Sequence, residues 1–236
     1  MSQFEHCQVM GPFNTGTVLM SSFVRRLYTN DQNRHFQYWK HSVPPRFLQN
    51  SDEKTPMDGS TRAFPGVLFL CMIRSPYFWL TATCRRQYNV QFHVKFFDLS
   101  ERLRSPVYLK GELFNNIVQL WNSYYRRYAL YLEEHNSVTY VRLEDLVRNP
   151  SETLRLLDSK LERKPGSDEQ ACIAFISRAP SKADNAYGEI WEEKNRLEFA
   201  LKAIRADDLS FINQQLDPLL MKKFAYSYAW PSPQIA

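Results

Sequence analysis

The chain has 236 residues, 44% of them hydrophobic and 23% charged, which is enough for one domain with a substantial core and leaves no long low-complexity tract. A net charge of +5, from 30 basic against 25 acidic residues, suits an anionic ligand without specifying one. Neither the four cysteines nor the five histidines show metal-ligand spacing, so buried thiols are expected at Cys7 and Cys71 and no metal centre is expected.

In chain order, "HCQVMGPF" reads as a short buried strand. "TGTVLMSSFVRRLY" then places Val18, Leu19, Phe23, Val24 and Leu27 at helical spacing, with Thr15 or Thr17 as the cap. "HFQYWKHS" is an aromatic strand candidate that ends before Pro44 and Pro45, since proline cannot continue a hydrogen-bonded ladder. Turn composition predicts a long loop over 46–65. "PGVLFLCMIRSP" is near-continuously apolar, as a central parallel strand covered on both faces would be. Pro76 fits the first turn of a helix over about 77–88, because that amide needs no intrahelical partner.

A second helix is predicted over 112–133. "SVTYVRLEDL" reads as a strand with its exit loop, and "PSETLRLLDSKL" as a helix opened by Ser151 or Pro150. The tail segments "EEKNRLEFALKAI" and "LSFINQQLDPLLMKKF" are amphipathic and helical. Strands alternating with long helices predict a three-layer α/β/α sandwich with a mainly parallel sheet, in a single domain over 1–236. Loop 43–65 and segment 160–190 are the candidate lids.

The opening turn, "GPFNTGT", sits where a phosphate loop would, between a strand and a helix whose amides and N-terminal dipole favour anions. It lacks the Gly-x-x-x-x-Gly-Lys pattern of nucleotide kinases and ATPases, since Thr17 follows the second glycine. Arg74 follows the apolar strand. If both strands are parallel neighbours, Thr17 and Arg74 share the ligand-binding edge, and Arg74 offers a planar, permanently charged fork.

These pieces, far apart in the chain, together resemble the sulfotransferases that use 3′-phosphoadenosine 5′-phosphosulfate (PAPS). "GPFNTGT" is similar to that family's proline-containing turn with Lys-Ser-Gly-Thr. "MIRSPYFWLTATCRRQY" is similar to its strand ending in Arg-x-Pro with a following helix, and "YVRLEDLVRNP" to its Arg-Tyr-Glu-Asp-Leu segment. The resemblance covers most of the chain in the expected order, including "LWNSYYRRY" and the late helix. It implies a P-loop NTPase-like fold and places Asn14, Thr15, Gly16, Thr17 and Val18 on the 5′ phosphosulfate. It assigns Arg74 to the 3′ phosphate.

The chain departs from the family pattern in three places. Asn14 replaces the loop lysine, so another cation must stabilise the sulfuryl group, with Lys40 first and Arg26, Arg85 and Arg86 behind it. The family's Lys-x-His becomes adjacent Lys40 and His41. Adjacent residues on a strand face opposite ways, so both reach one cavity only if the strand has ended there. The family's 3′-phosphate serine falls at Ala82, flanked by Thr81 and Thr83, each displaced by about 100° around a helix. Arg163 in "RKPG", Arg178 and Lys182 are further candidates for that phosphate.

The resemblance implies direct in-line transfer of a sulfuryl group from PAPS to an acceptor hydroxyl, or less readily an amine. His41 or a carboxylate serves as base, Lys40 stabilises charge, and no metal is needed. Phe47, Phe64 and Trp191 are candidates to line the acceptor path, and the expected acceptor is a small molecule. A divergent nucleotide kinase and a noncatalytic nucleotide-binding or interaction module are the alternatives. The aromatic and basic run from Tyr124 to Tyr128 could stack nucleic-acid bases, but its spacing better fits a helix with one face in a core, so no nucleic-acid partner is expected. "MSQFEHCQVM" lacks the regions of a signal peptide, and no apolar run approaches the roughly eighteen residues of a membrane span, so a cytoplasmic location is expected.

Overall fold

A computed structural model describes residues 4–30, 40–44, 46–48, 56–58, 63–85, 90–92, 98–178, 200–202 and 204–230. Three strands form a parallel sheet: β1 (His6–Met10), β4 (Val67–Ile73) and β8 (Ser137–Arg142), in the order β1-β4-β8. β4 is central and every one of its residues is buried, as its unbroken apolar run predicts. Its alternate residues Leu68, Leu70 and Met72 join Cys7 and Val9 of β1 and Val141 of β8 in one core. Helix α1 (Thr17–Leu27) covers that face with Met20, Phe23, Val24 and Leu27. On the opposite face Phe69 packs edge-on against Phe64, with ring centroids 5.7 Å apart. Each such fully buried side chain contributes about 1.5–3 kcal/mol.

The architecture is mixed α/β, with helices flanking a partly parallel sheet. Among the described residues, parallel pairing covers three strands. β2 (Arg46–Leu48) and β3 (Pro56–Asp58) pair antiparallel inside the stretch expected to be loop. A further antiparallel sheet joins β5 (Val90–Phe92), β6 (Val107–Leu109) and β7 (Glu112–Phe114). Glu112 to Phe114 are therefore strand, where a helix was predicted. The cause is the two-residue turn Lys110-Gly111, with φ of 50° and 82°. Two positive φ values match the primed turns that suit strand twist. The helix begins later, as α4 (Ile117–Arg127), with the Asn116 carboxamide oxygen accepting from the Gln119 amide, and Tyr128–Glu133 are π-helical.

The chain groups into two compact units, Met1–Arg74 with Arg127–Glu193 and Ser75–Arg126 with Lys194–Ala236. In the first unit, α5 (Leu143–Arg148) occupies the stretch expected to be the exit loop of β8. Next comes α6 (Pro150–Asp158), with Pro150 in its first turn as expected. Within the 160–190 segment, α7 (Glu169–Arg178) inserts Cys172 and Ile176 into the same core as α1, and 179–190 lie outside the described residues. Arg163 bonds Asp158 at 2.6 and 2.8 Å and Glu169 at 3.0 Å, while Tyr28 also donates to Asp158. This network ties the start of the segment to α1 and α6.

The second unit holds α2 (Pro76–Arg85), α3 (Leu99–Arg104), most of α4, α8 (Ala206–Gln215) and α9 (Pro218–Lys223). Trp79, Trp121, Tyr124 and Tyr125 are fully buried there. Asn122 donates to the Gln215 carbonyl at 2.7 Å and accepts from the Asp217 amide at 3.1 Å, which locks α4 to the α8–α9 junction. Asp208, 2% exposed, is held by Ser100 and Arg104. All four cysteines are free and buried, as was expected of Cys7 and Cys71. Among the described residues no helix is long and apolar enough to cross a membrane.

Candidate functional site

The β1–β4 register aligns Met10 with Cys71, so both strands end at one edge of the sheet. Open α/β sheets bind ligands at such edges. From there β1 runs into the 11–16 turn and β4 into Arg74. The turn is tight because its glycines are closely approached. A Cβ on Gly11 would lie 2.6 Å from Thr15 Oγ1 and 3.0 Å from Met72 Cβ. Gly16 has φ +80°, and a Cβ there would lie 2.6 Å from Leu143 Cδ1. Asn14 is also left-handed, at φ 62°, a conformation asparagine tolerates better than other side-chain-bearing residues.

Gly16 occupies the N-cap of α1, and no side chain caps the helix. Neither threonine is the cap, contrary to expectation: the Thr15 hydroxyl donates instead to the Pro12 carbonyl at 2.7 Å, and Thr17 is the first helical residue. No acidic residue lies in the first turn. An N-terminus without a capping side chain or carboxylate presents its partial positive charge to an anion.

Two further elements meet this loop within the same unit. Arg74 Nη1 donates to the Asn14 carbonyl at 2.9 Å. The Gly11 amide donates to the Lys40 carbonyl at 2.9 Å, while His41 Nδ1 lies 2.7 Å from the Gly11 carbonyl. Residues 40 and 41 form a turn, and 35–39 of the expected aromatic strand lie outside the described residues. Tyr128 donates to the Ser42 carbonyl at 3.3 Å and Arg127 to the Pro44 carbonyl at 3.4 Å, holding the stretch that follows.

His41 is 8% exposed and stacks on Phe13 with centroids 4.2 Å apart. Its pKa is lowered to about 4, chiefly by burial and also by Lys40, and the Gly11 and Pro12 carbonyls only partly oppose this. The imidazole is therefore neutral at pH 7. A carbonyl can only accept, so the bond to Gly11 assigns the proton to Nδ1 and leaves the lone pair on Nε2. Burial also lowers the pKa of Lys40.

The other sequence candidates have the following surroundings. Val18, in the first turn of α1, is 64% exposed. Thr81 and Thr83 belong to α2 in the second unit and are buried, and the Thr81 hydroxyl is spent on the Tyr77 and Phe78 carbonyls at 3.0 and 3.1 Å. Arg26 stacks over Phe175 at 4.4 Å, and Lys164 donates to the Arg25 carbonyl at 2.6 Å. The guanidinium of Arg163 is engaged by Asp158 and Glu169. Phe64 is buried against Phe69. Arg86, Lys182 and Trp191 lie outside the described residues. Tyr124, Tyr125 and Tyr128 are fully buried, so those rings are out of reach of a nucleic-acid base.

Among the described residues no group of three His, Cys, Asp or Glu side chains is arranged to hold a metal. The sequence reading missed Leu143, which backs Gly16, and the part of Gly11 that anchors the 40–41 turn. The leucine opening "LEDL" after β8 was the available signal for the first. No family model and no curated protein matches this chain.

Proposed function

We propose that residues 1–236 act as a PAPS-dependent sulfotransferase domain of P-loop-like fold. The observation that carries this reading is the meeting, at one edge of the parallel sheet, of the 11–16 turn, the Lys40–His41 turn and Arg74, tied by hydrogen bonds of 2.7–2.9 Å. The tight turn and the helix N-terminus without a capping side chain suit an anionic group held largely by backbone amides.

In the proposed reaction an acceptor oxygen forms a bond to sulfur as the bond from sulfur to the 5′-phosphate oxygen breaks, its electron pair going to the departing phosphate. His41 takes the acceptor proton on Nε2, because Nδ1–H stays on the Gly11 carbonyl. The amides around Thr15 to Thr17 and the Lys40 ammonium stabilise charge on the sulfuryl and bridging oxygens. These groups supply the charge stabilisation that a metal ion provides in phosphoryl transfer. The acceptor class is a small hydroxyl compound.

Calorimetry with adenosine 3′,5′-bisphosphate against ATP and ADP tests the donor site. Tight binding of the bisphosphate alone is expected, and equal or preferential binding of ATP would refute it. Transfer of labelled sulfate from PAPS to phenols, alcohols and amines then tests the chemistry. The uncharged Asn14 in the loop favours one other reading, a noncatalytic binding module. Bisphosphate binding without transfer to any acceptor would select that reading.

A further inference from the structure

The Lys40–His41 turn is fastened both before and after. Gly11 holds the near side, its amide donating to the Lys40 carbonyl at 2.9 Å and its carbonyl facing His41 Nδ1 at 2.7 Å. On the far side the chain runs through Ser42, which is fully buried, to Pro44. There the Tyr128 hydroxyl donates to the Ser42 carbonyl at 3.3 Å and Arg127 Nη1 to the Pro44 carbonyl at 3.4 Å. Both donors stand at the head of the π-helical turn Tyr128–Glu133, in the same unit as the 40–44 stretch. Such turns are rare, and they are frequent at functional sites. This one is itself anchored, since Tyr128 and Leu132 are buried and Tyr140 of β8 donates to Glu133 at 3.1 Å. A buried tyrosine has only two side-chain torsions, so its hydroxyl marks a well-fixed point. A base needs that precision, because a misplacement of about 1 Å costs on the order of a hundredfold in rate.

Resting on the sulfotransferase reading, in which His41 is the base, we propose that Tyr128 and Arg127 are positioning residues for it. They fix the backbone after His41 as Gly11 fixes it before, and so keep Nε2 in reach of the acceptor. Neither touches the reacting atoms. Through Glu133 and Tyr140 their clamp is tied to β8, a strand of the same sheet that carries the 11–16 turn, so the base and the anion loop share one frame.

The test uses the full chain with Tyr128→Phe, which keeps the buried ring and removes the donor, and with Arg127→Met, which keeps the stem and removes the guanidinium. NMR reads the local effect without any ligand. In Tyr128→Phe the Ser42 carbonyl carbon resonance should move. The Gly11 amide should exchange about threefold to tenfold faster relative to the Val9 and Met10 amides, as the loss of one ordinary hydrogen bond implies. Arg127→Met should speed the same amide by a similar factor. With PAPS and a phenol or alcohol, each variant should lower kcat by at least that factor, while adenosine 3′,5′-bisphosphate binds as in wild type. An unmoved Ser42 resonance, a Gly11 amide that exchanges as in wild type, or exchange that quickens uniformly along β1 overturns the proposal. Unchanged kcat in the folded variants also overturns it. If Tyr128→Phe does not fold, Arg127→Met, at a half-buried position, decides by the same measures. Failure of wild type to bind the bisphosphate or to transfer sulfate rejects the sulfotransferase reading instead, and the exchange result alone then decides whether the two residues fix the turn.

Discussion

Lowering the pH should destabilise the protein through His41, by an amount that the geometry sets. The ring is buried, donates to the Gly11 carbonyl and has a pKa near 4, against 6.5 for an ordinary histidine. The unfolded chain therefore binds a proton that the folded chain refuses, and between those two values protons pull the equilibrium toward unfolding. The histidine contributes no penalty above the unfolded value, and stability falls as the pH drops from there toward the folded one. Each pH unit across that window costs about 1.4 kcal/mol, so the loss reaches about 2 kcal/mol at pH 5 and about 3 kcal/mol at pH 4. Urea unfolding at several pH values, for wild type and for His41→Asn, isolates this share. Asparagine can still donate to Gly11 but does not titrate. The wild-type curve should fall away from the variant's below about pH 6.5. Parallel curves, or an NMR titration placing the His41 midpoint at or above its ordinary value, would refute the reasoning.

Three further perturbations test the local arguments. Gly16→Ala imposes φ +80° on a residue with a Cβ, a backbone cost of about 1–2 kcal/mol in thermal or urea unfolding, and sets that Cβ 2.6 Å from Cδ1 of the fully buried Leu143, which adds to the loss. Lys110→Asn should stabilise by up to about 1 kcal/mol, since asparagine accepts the left-handed first position of the Lys110-Gly111 turn more readily than lysine; a lower melting temperature would contradict that turn assignment. Asp217→Ala removes the side chain that caps α9 through the Leu219 and Leu220 amides and pairs with Arg126, at a cost of about 1–2 kcal/mol. Burial works to raise the Asp217 pKa, yet Arg126 and the two amides outweigh it and hold the carboxyl below its usual value. That contribution is therefore present at neutral pH and is lost as the pH falls through the carboxylate range.

The parallel sheet was legible because burial on both faces demands a nearly unbroken apolar run, and "VLFLCMI" is the clearest one in the chain. α1 was legible from the spacing of Phe23, Val24 and Leu27, all of which reach the core. The antiparallel β5–β6–β7 sheet was not legible. Its strands are three residues each, too short for alternation to show, and Lys-Gly is a weaker hairpin signal than Asn-Gly. The cap of α1 was misread for a related reason: two threonines flank the position, but the close approach of Leu143 selects the glycine between them. In the candidate site, residue types suggested Asn14, Lys40, His41 and Arg74. That Arg74 bonds the loop itself, and that Gly11 clips the 40–41 turn, depend on backbone carbonyl directions that no residue type encodes.

The proposed function makes one demand on His41 that its surroundings alone do not meet. An imidazole with a pKa near 4 is a weak base, and Lys40 beside it lowers its proton affinity further. A phosphosulfate bound against the 11–16 turn would reverse the sign of the nearby field. It would offset Lys40 and raise the proton affinity of His41, so basicity would develop only once the donor is in place. Linkage requires the reciprocal effect: adenosine 3′,5′-bisphosphate should bind more tightly as the pH falls through the range in which bound His41 gains a proton. An NMR titration with and without the bisphosphate reads this directly. The His41 midpoint should move up from about 4 on binding. A midpoint unmoved by saturating bisphosphate would place the anion away from the Gly11–His41 contact and remove His41 as the base.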